Sequence, residues 1–178
     1  MPLPGDERVH PACLPLEALE AECEFRATRR SGPGGQNRNK VETAVVLTHR
    51  PTGLSAEAAE RRTQGENRRE ALFRLRLKLA LEIRSPAILA GGATYRPSER
   101  WLRRTQGGRI VVNPGHDDFP AILAELLDLL AANGHDPKPA AAALGCSPSQ
   151  LVKLLRNEPR ALLLVNDNRR SQGLHALQ

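Results

Sequence analysis

The sequence predicts an α+β protein: a small β-sheet with a long packing helix, followed by a C-terminal helical module that resembles a helix-turn-helix. Three observations carry this. Thr43–His49 is a β-branched, apolar run that ends at the turn residues Arg50-Pro-Thr-Gly53. Residues 64–84 are dominated by Leu, Arg, Lys, Ala and Glu, the strong helix formers. From residue 118 onward, apolar stripes at helical spacing alternate with Gly, Ser-Pro and Glu-Pro punctuation.

Residues 1–14 are proline-rich and expected to be a flexible N-terminus. Leu14–Glu20 suggests one or two helical turns, and Cys23–Arg30 alternates as a strand does. Thr43–His49 is the second strand. Leu54–Glu60 is alanine-rich, which favours helix, but its place after a tight turn points to a third strand. Residues 64–84 pose a conflict. Leu75, Leu77, Leu79, Leu81 and Ile83 alternate at period two, whereas Leu72, Leu75, Leu79 and Ile83 fall at helical spacing. Length and helix-forming composition decide for a long helix, leucines towards the sheet and arginines along its outer side. Ser85-Pro86 stops it.

Residues 85–117 carry Gly91-Gly92, Gly107-Gly108 and several arginines around Trp101, and are expected to be a basic linker. Within them Arg109–Asn113 reads as a short strand. Residues 118–178 are expected to form the helical module. Asp118 is placed to cap a helix over Phe119–Ala132, Asp136-Pro137 opens one that Gly145 closes, and Ser147-Pro148 opens another to Arg156. Glu158-Pro159 starts a last helix to about Arg169. The stretch Ala140–Leu155 has the helix, turn and helix of the DNA-binding motif.

Charge narrows the partner. The chain of 178 residues has a formal net charge of +6. Residues 1–24 hold one basic and six acidic residues, residues 25–84 fourteen and six, and residues 85–178 eleven and eight. The basic excess therefore falls on 25–84, which suits an anionic partner. Aromatics make up 3% of the chain, too few for a base-stacking platform, so phosphate contact and RNA shape are the better expectation. Three cysteines, Cys13, Cys23 and Cys146, fit neither a metal pattern nor a disulfide framework, so a cytoplasmic location is expected. No run reaches the ~18–20 apolar residues of a membrane span, and the N-terminus lacks a secretory signal.

The most informative stretch is Ser31-Gly-Pro-Gly-Gly-Gln-Asn-Arg-Asn-Lys40. Its glycines and proline exclude helix and strand interior. Glycine lets backbone approach a partner closely, and Arg29, Arg30, Arg38 and Lys40 form a cationic collar. This stretch, Gly34-Gly35-Gln36 within it, resembles the signature of the peptidyl-tRNA hydrolase (GGQ) domain of class I peptide chain release factors. The likeness continues through Val41–His49, Pro51-Thr-Gly53, Arg62-Thr-Gln-Gly-Glu-Asn-Arg68 and Ala71, in order and at family-like spacing. It makes residues 15–84 the expected hydrolase domain.

The resemblance implies a substrate, the ester joining nascent peptide to tRNA. It implies catalytic residues Gly34, Gly35 and Gln36: the Gln36 N–H stabilises the oxyanion, its side chain orients water, and the glycines admit the tRNA end. Ser31, Gly32, Pro33, Asn37 and Asn39 are expected to shape the loop. Arg29, Arg30, Arg38, Lys40, Arg61, Arg62, Arg68 and Arg69 are the candidate RNA contacts. For the helix arginines, Arg74 and Arg76 included, a solvated face is an equally open reading. Arg38 stands where the family usually has a small apolar residue. No metal or other cofactor is expected, because ester hydrolysis needs none. The implied partners are the ribosome, through large-subunit RNA at the peptidyl-transferase centre, and peptidyl-tRNA, with this chain a monomer and no membrane involved.

Little sequence precedes Cys23 and nothing resembles a codon-reading loop, so the likeness is to the short, codon-independent hydrolases that rescue stalled ribosomes. Those end in a disordered basic tail, whereas residues 118–178 here read as folded helices. Two other readings stay open. One is a non-catalytic RNA- or DNA-binding protein acting through the helix-turn-helix, whose candidate recognition helix Ser149–Arg156 offers only Lys153 and Arg156 as cations. The other is a tRNA-end or RNA-processing factor working off the ribosome. His49 is read as a structural or solvent-exposed residue and not a catalytic one, the remaining histidines lack metal-ligand spacing, and no Ser/His/Asp set is recognisable.

Overall fold

The computed structural model describes residues 9–28, 43–85 and 95–178. The chain divides into two compact units, Leu14–Leu79 and Met1–Cys13 with Ala80–Gln178.

In the first unit, α1 (Leu16–Ala21) leads into β1 (Cys23–Thr28), then β2 (Ala44–His49), β3 (Ser55–Ala58) and α2 (Gln64–Glu82), which belongs to this unit through Leu79. The three strands form one antiparallel sheet in the order β1-β2-β3. The β-branched strand is thus the central one, paired on both sides, and it turns Val45, Leu47 and His49 inward. β1 is an edge whose Glu24 and Arg26 are exposed, the charges that keep an edge from pairing further. The Arg50–Gly53 turn closes with the Gly53 N–H on the His49 carbonyl at 2.8 Å, and Gly53 has φ +71°, which a glycine adopts without strain. The ambiguous alanine-rich segment pairs as β3, with Val45 opposite Ala58 and Thr48 opposite Ser55.

Helical spacing wins in α2. Leu72, Leu75 and Leu79 are buried with Leu77, and Arg74 and Lys78 bond the β3 carbonyls of Glu57 and Ser55 at 2.9 and 3.3 Å. Arg76 corrects the expectation of an all-outward arginine row: it is 3% exposed. Between Leu75 and Leu77 it lies on the buried side of a stripe that is wider than one residue per turn.

The second unit is helical: α3 (Glu99–Arg104), a hairpin of β4 (Thr105–Gln106) and β5 (Arg109–Ile110), α4 (Phe119–Ala132), α5 (Pro137–Leu144), α6 (Pro148–Arg156) and α7 (Pro159–Ser171). Helix α4 is its centre, buried continuously from Phe119 to Leu130. A helix covered on all sides needs internal partners for its acids, and Glu125 and Asp128 have them. Glu125 accepts from Tyr95 Oη, from Ser98 N at 2.8 Å and from Ser98 Oγ at 2.6 Å. Asp128 accepts from Ser85 N at 3.1 Å.

Several expectations are corrected here. Pro11–Cys13 of the expected flexible N-terminus is a 3-10 turn with Ala12 fully buried, and His10 is buried, its ring held between the Ala12 N–H and the Ile83 carbonyl. The expected linker carries α3 and the β4–β5 hairpin. Trp101 is 1% exposed, its indole N–H on the Leu144 carbonyl at 2.9 Å, because a tryptophan buries much area once its donor is satisfied. Gly107 and Gly108, read as linker glycines, make the hairpin turn at φ +54° and +73°. Asp118 stands at the start of α4 but makes no capping bond. Its backbone is helical, and its carboxylate pairs instead with Arg104 at 2.8 Å and Arg100 at 3.2 Å. Ser147 likewise starts α6 without a capping bond, its hydroxyl meeting Ser149 Oγ at 2.9 Å. Asp136 and Glu158 do cap, accepting from Lys138 N and Arg160 N. Gly145 closes α5 in the left-handed conformation at φ +65°.

Candidate functional site

The expected catalytic residues Gly34, Gly35 and Gln36 lie outside the described residues. So do Ser31, Gly32, Pro33, Asn37 and Asn39, and the cations Arg29, Arg30, Arg38 and Lys40. The structure gives the frame from which they depart. β1 ends at Thr28 and β2 begins at Ala44, and these two residues are register partners. The segment carrying the motif therefore connects two directly paired strand ends.

Its C-terminal end is held by a residue that sequence reasoning passed over. Asn67, in the first turns of α2, has no exposed surface. Its Nδ2 donates to the Thr43 carbonyl at 2.7 Å and to the Arg61 carbonyl at 3.1 Å, while Oδ1 accepts from Arg61 N at 2.9 Å. One amide thus ties the start of the basic helix to the residue before β2. The available signal was an amide side chain inside an otherwise charged helix start, a place where short polar side chains bond the main chain.

The start of α2 is a capping box, also legible in Thr63-Gln-Gly-Glu66. Thr63 Oγ1 accepts from Glu66 N at 3.2 Å, and Glu66 Oε2 accepts from Thr63 N at 3.3 Å and Thr63 Oγ1 at 2.7 Å. The Thr63 hydroxyl and N–H hold the Glu66 carboxyl below the usual range.

The described candidate RNA contacts all lie here, but they are not equivalent. Arg68 is committed within the fold: its Nε and Nη2 grip Glu20 at 3.2 and 3.0 Å, and its guanidinium stands 5.5 Å over the Phe25 ring. Arg61 makes one long ion pair, 3.7 Å to Glu70, and is exposed. Arg62 and Arg69 are exposed and form no ion pair among the described residues. Arg74 is engaged with Glu60 and, at 3.4 Å, with Glu70. Arg61, Arg62 and Arg69 are thus the cations presented outward, at a helix N-terminus whose dipole also favours anions.

His49 is a structural residue. It is 1% exposed, with Nε2 at 2.9 Å from Glu22 Oε2 and Nδ1 at 2.8 Å from Thr52 Oγ1, which staples α1 to the turn. Among the described residues no group of His, Cys, Asp and Glu gathers as metal ligands do. Cys13, Cys23 and Cys146 are free thiols, and burial pushes Cys23 and Cys146 up to about 11, which makes them unreactive. No described helix is long and apolar enough to cross a membrane.

Residues 15–90 match the model of the RF-1 domain. Over 79 residues the chain is 46% identical to peptide chain release factor PrfB1, chloroplastic, of Arabidopsis thaliana, covering 44% of this chain and 16% of that protein. It is 42% identical to peptide chain release factor 1 of Acidiphilium cryptum over 84 residues, 47% of this chain and 24% of the relative. With peptide chain release factor 1 of Streptococcus thermophilus it shares 54% over 70 residues, 36% and 20%. The chain thus spans less than a quarter of the length of these curated relatives. Residues 15–90 are thus an RF-1 domain, similar to the corresponding part of the peptide chain release factors.

Proposed function

We propose that this chain hydrolyses the peptidyl-tRNA ester on the ribosome and frees the nascent peptide, without reading a stop codon, as a rescue factor for stalled ribosomes. The observation that carries this reading is Gly34-Gly35-Gln36 inside an RF-1 domain match that spans both flanking strands and α2. In the reaction, water adds to the ester carbonyl, the tetrahedral oxyanion collapses, and the products are a peptide carboxylate and the tRNA ribose hydroxyl. The Gln36 N–H meets the oxyanion, a kind of donor whose removal costs ~10²–10³ in rate. The Gln36 amide orients the water without acting as a strong base. Gly34 and Gly35 spare the tRNA end a Cβ, and the ribosomal site supplies positioning.

Arg29, Arg30, Arg38, Lys40, Arg61, Arg62 and Arg69 would meet large-subunit RNA, with Arg68 acting first as a brace for the domain. Codon independence rests on the sequence reading, in which no stretch resembles a codon-reading loop. The division into an N-terminal segment, a GGQ domain over 15–84 and an appended C-terminal part belongs to the same reading, as does action as a monomer in the cytoplasm.

The test is peptide release from purified ribosomes stalled on an mRNA that ends in the decoding region. Wild type should release the peptide, and Gly35→Ala should lose activity by about 10² or more while still binding ribosomes. Release that requires a stop codon in place would overturn the rescue reading alone. No release on either mRNA would overturn the hydrolase reading.

A further inference from the structure

The second unit contains a cleft of about 390 Å³ between α6 and the strand segment running on from β5. Its charge is of one sign. Arg109 and Lys153 line it, both exposed and neither in an ion pair among the described residues, and no carboxylate lines it. Three carboxamides face the same space, Asn113 from the strand side and Gln150 and Asn157 from the helix. Gln150 Oε1 already accepts from Ile110 N at 3.3 Å, which fixes that side chain across the cleft and leaves its amide nitrogen to donate. Ile110 and Leu154 provide apolar wall, and Val111, 58% exposed, stands at the rim.

Helix α6 is the one sequence reasoning nominated as a recognition helix. A helix that reads duplex DNA must project into a major groove ~12 Å wide. Here Gln150, Lys153 and Asn157, one helical face, are walled by the β5 strand segment instead. What fits is narrower than a duplex. Two cations suit backbone phosphates. Asn113 Oδ1 accepts from Gly115 N at 2.8 Å, so Asn113, like Gln150, keeps its amide nitrogen to donate, while the Asn157 carboxamide offers both donor and acceptor to the edge of an unpaired base. An acidic peptide would use the same cations and meet the carboxamides through its main chain, and the competition arm of the test separates it from RNA.

We propose that this cleft binds an unpaired stretch of RNA, with phosphates on Arg109 and Lys153 and base edges on Asn113, Gln150 and Asn157. Without an aromatic platform its affinity is modest and strongly salt-dependent. The site stands on residues 95–178 alone and is independent of the hydrolase reading.

The test titrates the full chain against a labelled, unstructured oligoadenylate by fluorescence anisotropy over a range of salt. It uses wild type, the double variant Arg109→Glu/Lys153→Glu and the single variant Asn157→Asp, with circular dichroism to verify the fold. Charge reversal at these exposed positions should weaken binding about tenfold or more and flatten the salt slope by about 1.4, two phosphates at ~0.7 each. Asn157→Asp should weaken it several-fold. Because residues 25–84 are also basic, an oligonucleotide carrying 4-thiouridine is cross-linked and mapped, and adducts are expected within 109–113 or 150–157. Unchanged affinity and salt slope in the variants, or adducts confined to 15–84, would overturn the proposal. Displacement of the RNA from the mapped site by polyglutamate would overturn it in favour of an acidic protein partner, and tighter binding of duplex would restore the helix-turn-helix reading.

Discussion

Asn67 spends its whole side-chain amide on main chain: three bonds, two to Arg61 and one to Thr43, in a position with no solvent access. Truncation leaves those groups unpaired, so Asn67→Ala should lower stability by about 3 kcal/mol in urea unfolding, roughly one per lost bond. It should also reduce peptide release, because the residue it anchors leads to the motif segment. A second pair of residues makes opposite demands on pH. Burial pushes His10 down to about 4, against the pull of the Ile83 carbonyl, so its stabilisation is complete above its ordinary value of 6.5 and is lost as pH falls towards 4. Burial pushes Asp128 up to about 6, with Ser85 N and Arg84 opposing and Oδ2 unbonded. Its stabilisation is complete below 3.8 and is lost as pH rises through 6. Each amounts to about 3 kcal/mol, with opposite sign over a shared window. Asp128→Asn should therefore steepen the loss of stability between pH 6 and 4, since His10 is no longer opposed. Unfolding midpoints at pH 6, 5 and 4 measure it, and parallel curves for wild type and variant would refute it.

At the scale of elements, termini decide more than interiors do. The interiors were legible: α4 runs from Phe119 to Ala132 where its stripe predicted it, and β2 lies on its β-branched run. Caps were less so, because a capping residue is chosen by competition. Asp118 had the right type and place, yet two arginines distant in sequence claim its carboxylate and, although partial burial works the other way, hold it below the usual range. Ser98, in the stretch read as linker, is an actual cap. Its Oγ accepts from Trp101 N at 3.0 Å and donates to Glu125, so Ser98→Ala should destabilise the second unit by about 2 kcal/mol, seen in Trp101 fluorescence during denaturation.

For the whole molecule, each unit has its own buried set, Val45, Leu47, Leu75 and Leu79 in one and Ile122, Leu123, Leu126 and Leu130 in the other. The single tryptophan, Trp101, reports only the second. Leu126→Ala should shift the fluorescence transition by about 2–5 kcal/mol. Leu47→Ala should leave that transition in place while lowering the unfolding midpoint seen in far-ultraviolet circular dichroism. A common shift of both probes in both variants would show one cooperative unit instead of two.

The sequence by itself determined the class of fold, the order of elements from α1 to α2 and of the helices from residue 118, and the family of residues 15–90, because these rest on local periodicity, turn chemistry and a motif whose spacing is written along the chain. Tertiary structure alone decided what side chains do once distant segments meet. It took Asp118 from its helix start and gave it to Arg100 and Arg104, buried Arg76 and His10, bound Arg68 to Glu20, and made Asn67 the clasp of the motif's frame. It also turned an expected linker into one wall of a cleft. The physical reason is the same in each case: a polar group leaving water takes whichever partner the fold brings within hydrogen-bonding distance, and that partner is fixed by packing and not by neighbours in sequence.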